Sequence, residues 1–134
     1  MLTYEKALEL LMRAVEEKGE DYCYEEPSEF DSCIYFEHDA SPSCIVGHVL
    51  HYLGFEPSEH WMAAYNVDQH VPCILGTFGY LTGGLTAAAC LLLVAAQGYQ
   101  DQAYPWGECV LRAVRDMEED MPDDVAAYVL GVAA

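Results

Sequence analysis

From Gln69 to Gln100 the chain runs 32 residues without an Asp, Glu, Lys or Arg, although it carries 23 acids and 5 bases in all. An uncharged stretch of that length belongs either in a membrane or in a protein core. Pro72, Gly76, Gly79, Gly83 and Gly84 interrupt it, which leaves Leu85–Ala96 as its continuous apolar part. As a helix that part rises about 18 Å, well short of the ~30 Å hydrocarbon layer of a bilayer. No Lys or Arg flanks it to mark a cytoplasmic side. The reading is a buried core helix from about Leu85 to Tyr99, with no membrane partner.

The charge is segregated around that core. Residues 1–40 hold 12 acids and 3 bases, residues 41–100 hold 3 acids and no Lys or Arg, and residues 101–134 hold 8 acids and 2 bases. The middle supplies the interior and the two ends an acidic exterior. At 134 residues and 53% hydrophobic content the chain is expected to fold as one domain, 1–134, with its own core. A net charge of −18 repels phosphate backbones and anionic bilayers, so direct nucleic-acid binding is excluded. The implied partner is a protein, basic or itself nucleic-acid-binding. A DNA mimic is the narrower form of that reading and requires carboxylates in rows of fixed spacing.

Periodicity outlines the helices. Thr3 caps a helix that Gly19 stops after Lys18, with Tyr4, Ala7, Leu8, Leu11, Ala14 and Val15 on one stripe. "DYCYEE" and "SCIYFEH" read as two short strands joined through "PSEFD", a small N-terminal hairpin. Ser41 as N-cap, Pro42 at the first position and Gly54 beyond the end frame a second helix. Ser58 caps a third in "EPSEHWMAAYN", and "LGTFGYLTGG" reads as a glycine-rich connector. Pro105 opens a helix with Trp106, Cys109, Val110, Ala113, Val114 and Met117 on one face. Pro122 ends it, and "DDVAAYVL" follows as a last short helix capped by Asp123 or Asp124. The expected fold is mainly α: a compact bundle of about five or six short helices with one small N-terminal β-hairpin.

Six cysteines stand at 23, 33, 44, 73, 90 and 109 with no C-x-x-C, and five of them precede an aliphatic residue. The start, "MLTYEKALELLMRAVEEKG", is an amphipathic acidic helix and not a signal peptide. Free, largely buried thiols in a cytoplasmic setting are therefore expected.

The densest chemistry lies in "SPSCIVGHVLHYLG", where Cys44, His48 and His51 stand at i, i+4 and i+7. Cys44 and His48 could share a metal, or form a thiol and base near a helix N-terminus. His51 lies about 10.5 Å along the axis from Cys44, too far to join one ion readily. Further metal ligands would come from Cys33 and His38, or from His70 and Cys73. No orienting Asp or Asn and no metal-site spacing supports either chemistry, and Gly47 on the same face points to close packing. The segment is read as a core helix, with Cys44 and His48 as the pair to test; no cofactor is implied. "GTFGYLTGG" has no Lys and no Walker spacing, so it is not read as a phosphate loop. The acidic runs "EEKGED" and "MEEDMPDD" lack an EF-hand pattern and read as solvated helix ends. Trp106 belongs to the core stripe, and Trp61 with Tyr65 could face either way.

Two blocks carry a resemblance: "PSCIVGHVLHYLG", preceded by "GEDYCYE" and "CIYFEHD", and "AAQGYQDQAYPWGECVLRAV". With the opening helix they resemble an uncharacterised family of small acidic proteins from actinobacteria and their phages, over about three quarters of the chain. The family attaches no activity to any residue. It implies an intracellular setting in which a small acidic, non-enzymatic protein modulates a host or phage protein.

Overall fold

A computed structural model describes residues 1–25, 34–66 and 71–120. Among them are six α-helices: α1 (Tyr4–Lys18), α2 (Ile45–Tyr52), α3 (Glu59–Tyr65), α4 (Leu75–Thr82), α5 (Ala87–Asp101) and α6 (Trp106–Asp120). A single 3-10 turn, Val71–Ile74, leads into α4. The last expected helix, at Asp123 onward, and the stop at Pro122 lie outside the described residues.

The uncharged helix is the hub: α5 packs against α6, α1, α2 and the 3-10 turn. Ala88, Ala89, Leu92, Leu93 and Ala96 are buried along it. None of its residues pairs a charge with solvent until Asp101, at its last position, so it can be covered on several sides. No described helix is long and apolar enough to cross a membrane.

Two short pairings set the directions of the long helices. Leu2 N–H donates to Gly84 O (2.8 Å) and Thr86 N–H to Leu2 O (3.0 Å), so α1 and α5 start side by side and run parallel. After α5, Ala103 takes a left-handed turn (φ 69°) and the chain reverses into α6. There Trp106 N–H donates to Tyr22 O (2.8 Å) and Gly107 N–H to Glu20 O (2.9 Å). The first two N–H groups of α6 are thus satisfied by the loop that follows α1. α6 therefore begins where α1 ends and runs antiparallel to it.

Thr3 and Gly19 bound α1 as expected: the Thr3 side chain accepts from Lys6 N–H, and Gly19 N–H donates to Val15 O. Ser58 likewise caps α3. Three expectations are corrected. The described residues contain no strand, so the N-terminal hairpin is absent from them; "PSEFD" itself lies outside. Ile34, Tyr35 and Phe36 are all buried, which a half-exposed hairpin strand does not allow. Their polar groups go elsewhere: Asn66 Oδ1 accepts from Phe36 N–H (2.8 Å) and its Nδ2 donates to Phe36 O (2.9 Å). One side-chain amide replaces a partner strand there. Tyr35 O and Ile34 O accept from Ser43 and Cys44 N–H (2.8 and 3.2 Å).

The second correction is "LGTFGYLTGG", whose first eight residues are α4. Phe78 is buried and Leu75 and Leu81 pack against the core, which outweighs the roughly 1 kcal/mol that each helical glycine forfeits. Gly83, at φ 78°, supplies the left-handed stop. The third concerns α2, which starts at Ile45 with Cys44 as N-cap, not at Pro42 after Ser41. Ser41 instead bonds Asp39 through its N–H (3.0 Å), and Pro42 pairs with Phe36 in an isolated bridge.

Candidate functional site

A helix N-terminus can serve as an oxyanion or anion site only while its N–H groups remain free. At α2 they are taken. Ile45 N–H donates to Gln100 Oε1 (2.7 Å), Val46 N–H to Gln97 Oε1 (3.3 Å) and Gly47 N–H to Cys44 Sγ (3.4 Å). Gln97 and Gln100 lie three apart on α5, on one face, and so reach successive donors. The Cys44 sulfur acts as a cap and is fully buried. The thiol thus stands neither one turn into the helix nor beside an open donor set.

His48 is also inside, at 2% exposure. Its Nδ1 lies 2.9 Å from Cys44 O; a carbonyl only accepts, so Nδ1 carries the proton and donates. Its ring packs edge-on to Trp106 at 5.0 Å and Tyr52 at 6.2 Å. Burial holds its pKa below 6.5, which keeps the imidazole neutral. His48 is turned toward the Cys44 carbonyl and its ring neighbours, not toward the thiol. Among the other expected ligands, His51 and His38 are exposed, while Cys33 and His70 lie outside the described residues. Among the described residues no three His, Cys, Asp or Glu side chains group to hold a metal.

The thiols rank by access. Cys23 is exposed, whereas Cys109 is buried and its pKa is pushed up to about 12 by that burial. Iodoacetamide under native conditions should therefore label Cys23 while Cys44 and Cys109 stay protected until denaturant is added. Peptide mass mapping reads this directly. Labelling of Cys44 as fast as Cys23 would restore the nucleophile reading.

A polar cluster that the sequence did not disclose forms where α1 packs on α2. Arg13 and Glu17, one turn apart, meet His51 and Tyr52. The Tyr52 hydroxyl donates a short hydrogen bond to Glu17 Oε2, and the Arg13 guanidinium lies 4.2 Å from the centre of the Tyr52 ring. The bond from Tyr52 lowers the pKa of Glu17; burial, then that bond, raises the pKa of Tyr52. Both shifts lead away from neutrality, the reverse of what a general acid or base requires.

The third feature is an open groove of about 500 Å³ between α1 and α6. Leu8, Met12 and Val15 form one wall, and Val110, Leu111 and Val114 the other. Glu20, Asp21 and Glu108 stand at one end, and no Lys or Arg lines it. Met12 is 49% exposed and Leu111 53%, although each belongs to a helix with a well-buried opposite stripe. Both are therefore apolar surface that the described fold leaves uncovered.

No protein-family model, curated protein or solved structure matches the chain. Its site has to be read from its own residues. The expected pair, Cys44 and His48, is brought together by one helical turn and enclosed. The α1–α6 groove and the α1–α2 cluster are assembled from residues about a hundred and about forty positions apart. The only local signal for the groove was Met12 and Leu111, two apolar residues off the main stripes of their helices.

Proposed function

We propose that this chain is a non-enzymatic acidic protein that binds and modulates another protein, one with a basic surface. What supports this reading is how the chain uses its few cations. Of the five Lys and Arg residues, Lys6 pairs with Glu9 (3.1 Å) and Arg112 with Glu108 (2.9 Å). Arg13 lies over the Tyr52 ring and Lys18 over the Tyr22 ring. Four of the five are thus engaged by their own chain, while Glu5, Glu16, Glu20 and Asp21 stay exposed around α1. That surplus attracts a partner's Lys and Arg residues and steers it on approach. The enclosed Cys44 and His48, and the pKa directions at Glu17 and Tyr52, count against an acid–base or thiol enzyme. The resemblance to proteins of actinobacteria and their phages makes the partner a host or phage component met in the cytoplasm.

The test is capture from a host lysate on the immobilised chain, followed by affinity measurement with the identified protein across salt. A stoichiometric partner whose affinity falls steeply between about 50 and about 500 mM salt is the expected result. Recovery of no partner, or binding that salt leaves unchanged, would overturn the reading. Competition by duplex DNA would narrow the partner to a nucleic-acid-binding protein and favour the mimic form.

A further inference from the structure

We infer that the groove between α1 and α6 is the docking site for an amphipathic, basic α-helix of the partner, an inference that rests on the binding reading above. The groove lies between two antiparallel helices and offers two parallel apolar walls. Leu8 to Val15 on α1 and Gly107 to Val114 on α6 each cover seven positions, about 10 Å of helix axis. That is the rise from i to i+7 on a third helix laid between them, so side chains at i, i+3 or i+4, and i+7 reach both walls. Among the described residues there is no strand whose edge an extended peptide could join, which leaves a helix as the form that satisfies its own backbone.

Charge selects which helix. Glu20, Asp21 and Glu108 stand at the groove end formed by the close of α1 and the start of α6. The exposed Glu5 and Glu9 lie toward the other end of α1. Lys6 and Arg112 are drawn to Glu9 and Glu108 along their own helices, Arg13 lies over the Tyr52 ring, and Arg115, next to Val114 in sequence, does not line the groove. A docked helix therefore meets two apolar walls with the carboxylates of Glu5, Glu20 and Asp21 about them, and Lys or Arg flanking its apolar stripe complements both. An acidic or purely apolar helix lacks one of the two matches. Met12 and Leu111 are the wall residues with the most exposed surface, and they lose it when the helix seats.

The test uses the full chain and a labelled probe peptide with Leu at i, i+3, i+4 and i+7 and Lys on its other faces. A scrambled peptide of the same composition is the control. Fluorescence anisotropy should show the patterned peptide binding about tenfold or more tighter than the scrambled one. Met12→Ser with Leu111→Ser should erase that difference, while Glu20→Gln with Asp21→Asn should weaken both peptides and flatten the salt dependence. The substituted side chains are half-exposed or exposed, and thermal melts establish that each variant folds.

Equal binding of the two peptides, unaffected by Met12→Ser with Leu111→Ser, would overturn groove docking and leave the acidic-surface reading standing. Self-association of the unsubstituted chain, lost in that variant, would assign the groove to a second copy and overturn the inference. So would tighter peptide binding by a full chain carrying Leu130→Asp, which would give the groove to residues 121–134. Failure of both peptides to bind overturns the inference, and the lysate capture then decides the broader reading by itself.

Discussion

Gly47→Ala is expected to be the most damaging methyl group that can be added to this chain. A Cβ at position 47 would sit 2.0 Å from Tyr35 O and 2.9 Å from its carbonyl carbon. Those are backbone atoms, so no side chain can swing aside. Tyr35 is held there on both sides, by Ser43 N–H on its carbonyl (2.8 Å) and by its own N–H on Asn66 O (3.3 Å). Relief requires α2 to shift, and α2 is fixed at its start by Gln97 and Gln100. Overpacking a tight core costs about 1–3 kcal/mol and sometimes more; a backbone clash of this depth belongs at or above the upper end. For a domain of this size that lowers Tm by roughly 10 °C. Gly98→Ala is the control. It adds the same methyl to a helix interior with nothing within 4 Å, and should stabilise by about 0.5–1 kcal/mol. Thermal melts of the two variants should move in opposite directions, and a Gly47→Ala melt at the unsubstituted Tm would refute the close approach.

Trp106→Ala carries the second large effect. Trp106 is fully buried at the start of α6, with Tyr22 edge-on at 4.7 Å and His48 at 5.0 Å. It therefore joins three parts of the chain: the loop after α1, the buried face of α2, and α6 itself. Removing a buried indole costs about 3–5 kcal/mol, because the space it leaves is only partly refilled. Against a typical stability of about 5–15 kcal/mol, a chain without Trp106 is near the edge of folding. Trp106→Phe should cost much less. It keeps an aromatic ring between Tyr22 and His48, and removes an indole N–H that has no hydrogen-bond partner among the described residues. Urea midpoints in the order unsubstituted, Phe, Ala are expected; equal midpoints for the Phe and Ala variants would show that the ring contacts contribute nothing.

The parts of this fold that were legible in the sequence are those decided by neighbours in the chain. Thr3 and Gly19 frame α1, the apolar recurrence from Trp106 to Met117 marks α6, and Gly47 announced a close approach before its partner was known. The misread parts are decided at a distance. Ser41 and Pro42 are good local start signals, yet α2 begins later because Gln97 and Gln100, 51 and 55 positions from the amides they cap, determine where the donors are satisfied. "CIYFEHD" has strand composition, but Asn66 takes the place of a second strand from 30 positions away. Glycines in "LGTFGYLTGG" weigh against a helix locally, and the burial of Phe78 outweighs them. For the same reason the candidate site was half visible. Cys44 and His48 are local and could be named, and that they are enclosed follows only from Tyr35, Trp106 and α5.

The pairing of Leu2 with Leu85 also bears on how the chain is made. The residue that fixes the start of α1 is made before its partners, Gly84 and Thr86, which come more than eighty positions later. The wall that should cover the other side of α1 belongs to α6 and comes later still. During synthesis the apolar stripe of α1 has only α2 to pack against until α5 and then α6 have emerged. An early helix in that position depends on its own solubility, and the acidic face of α1 supplies it. The same carboxylates that are proposed to receive a partner would thus first serve to keep the unfinished chain from sticking to its neighbours.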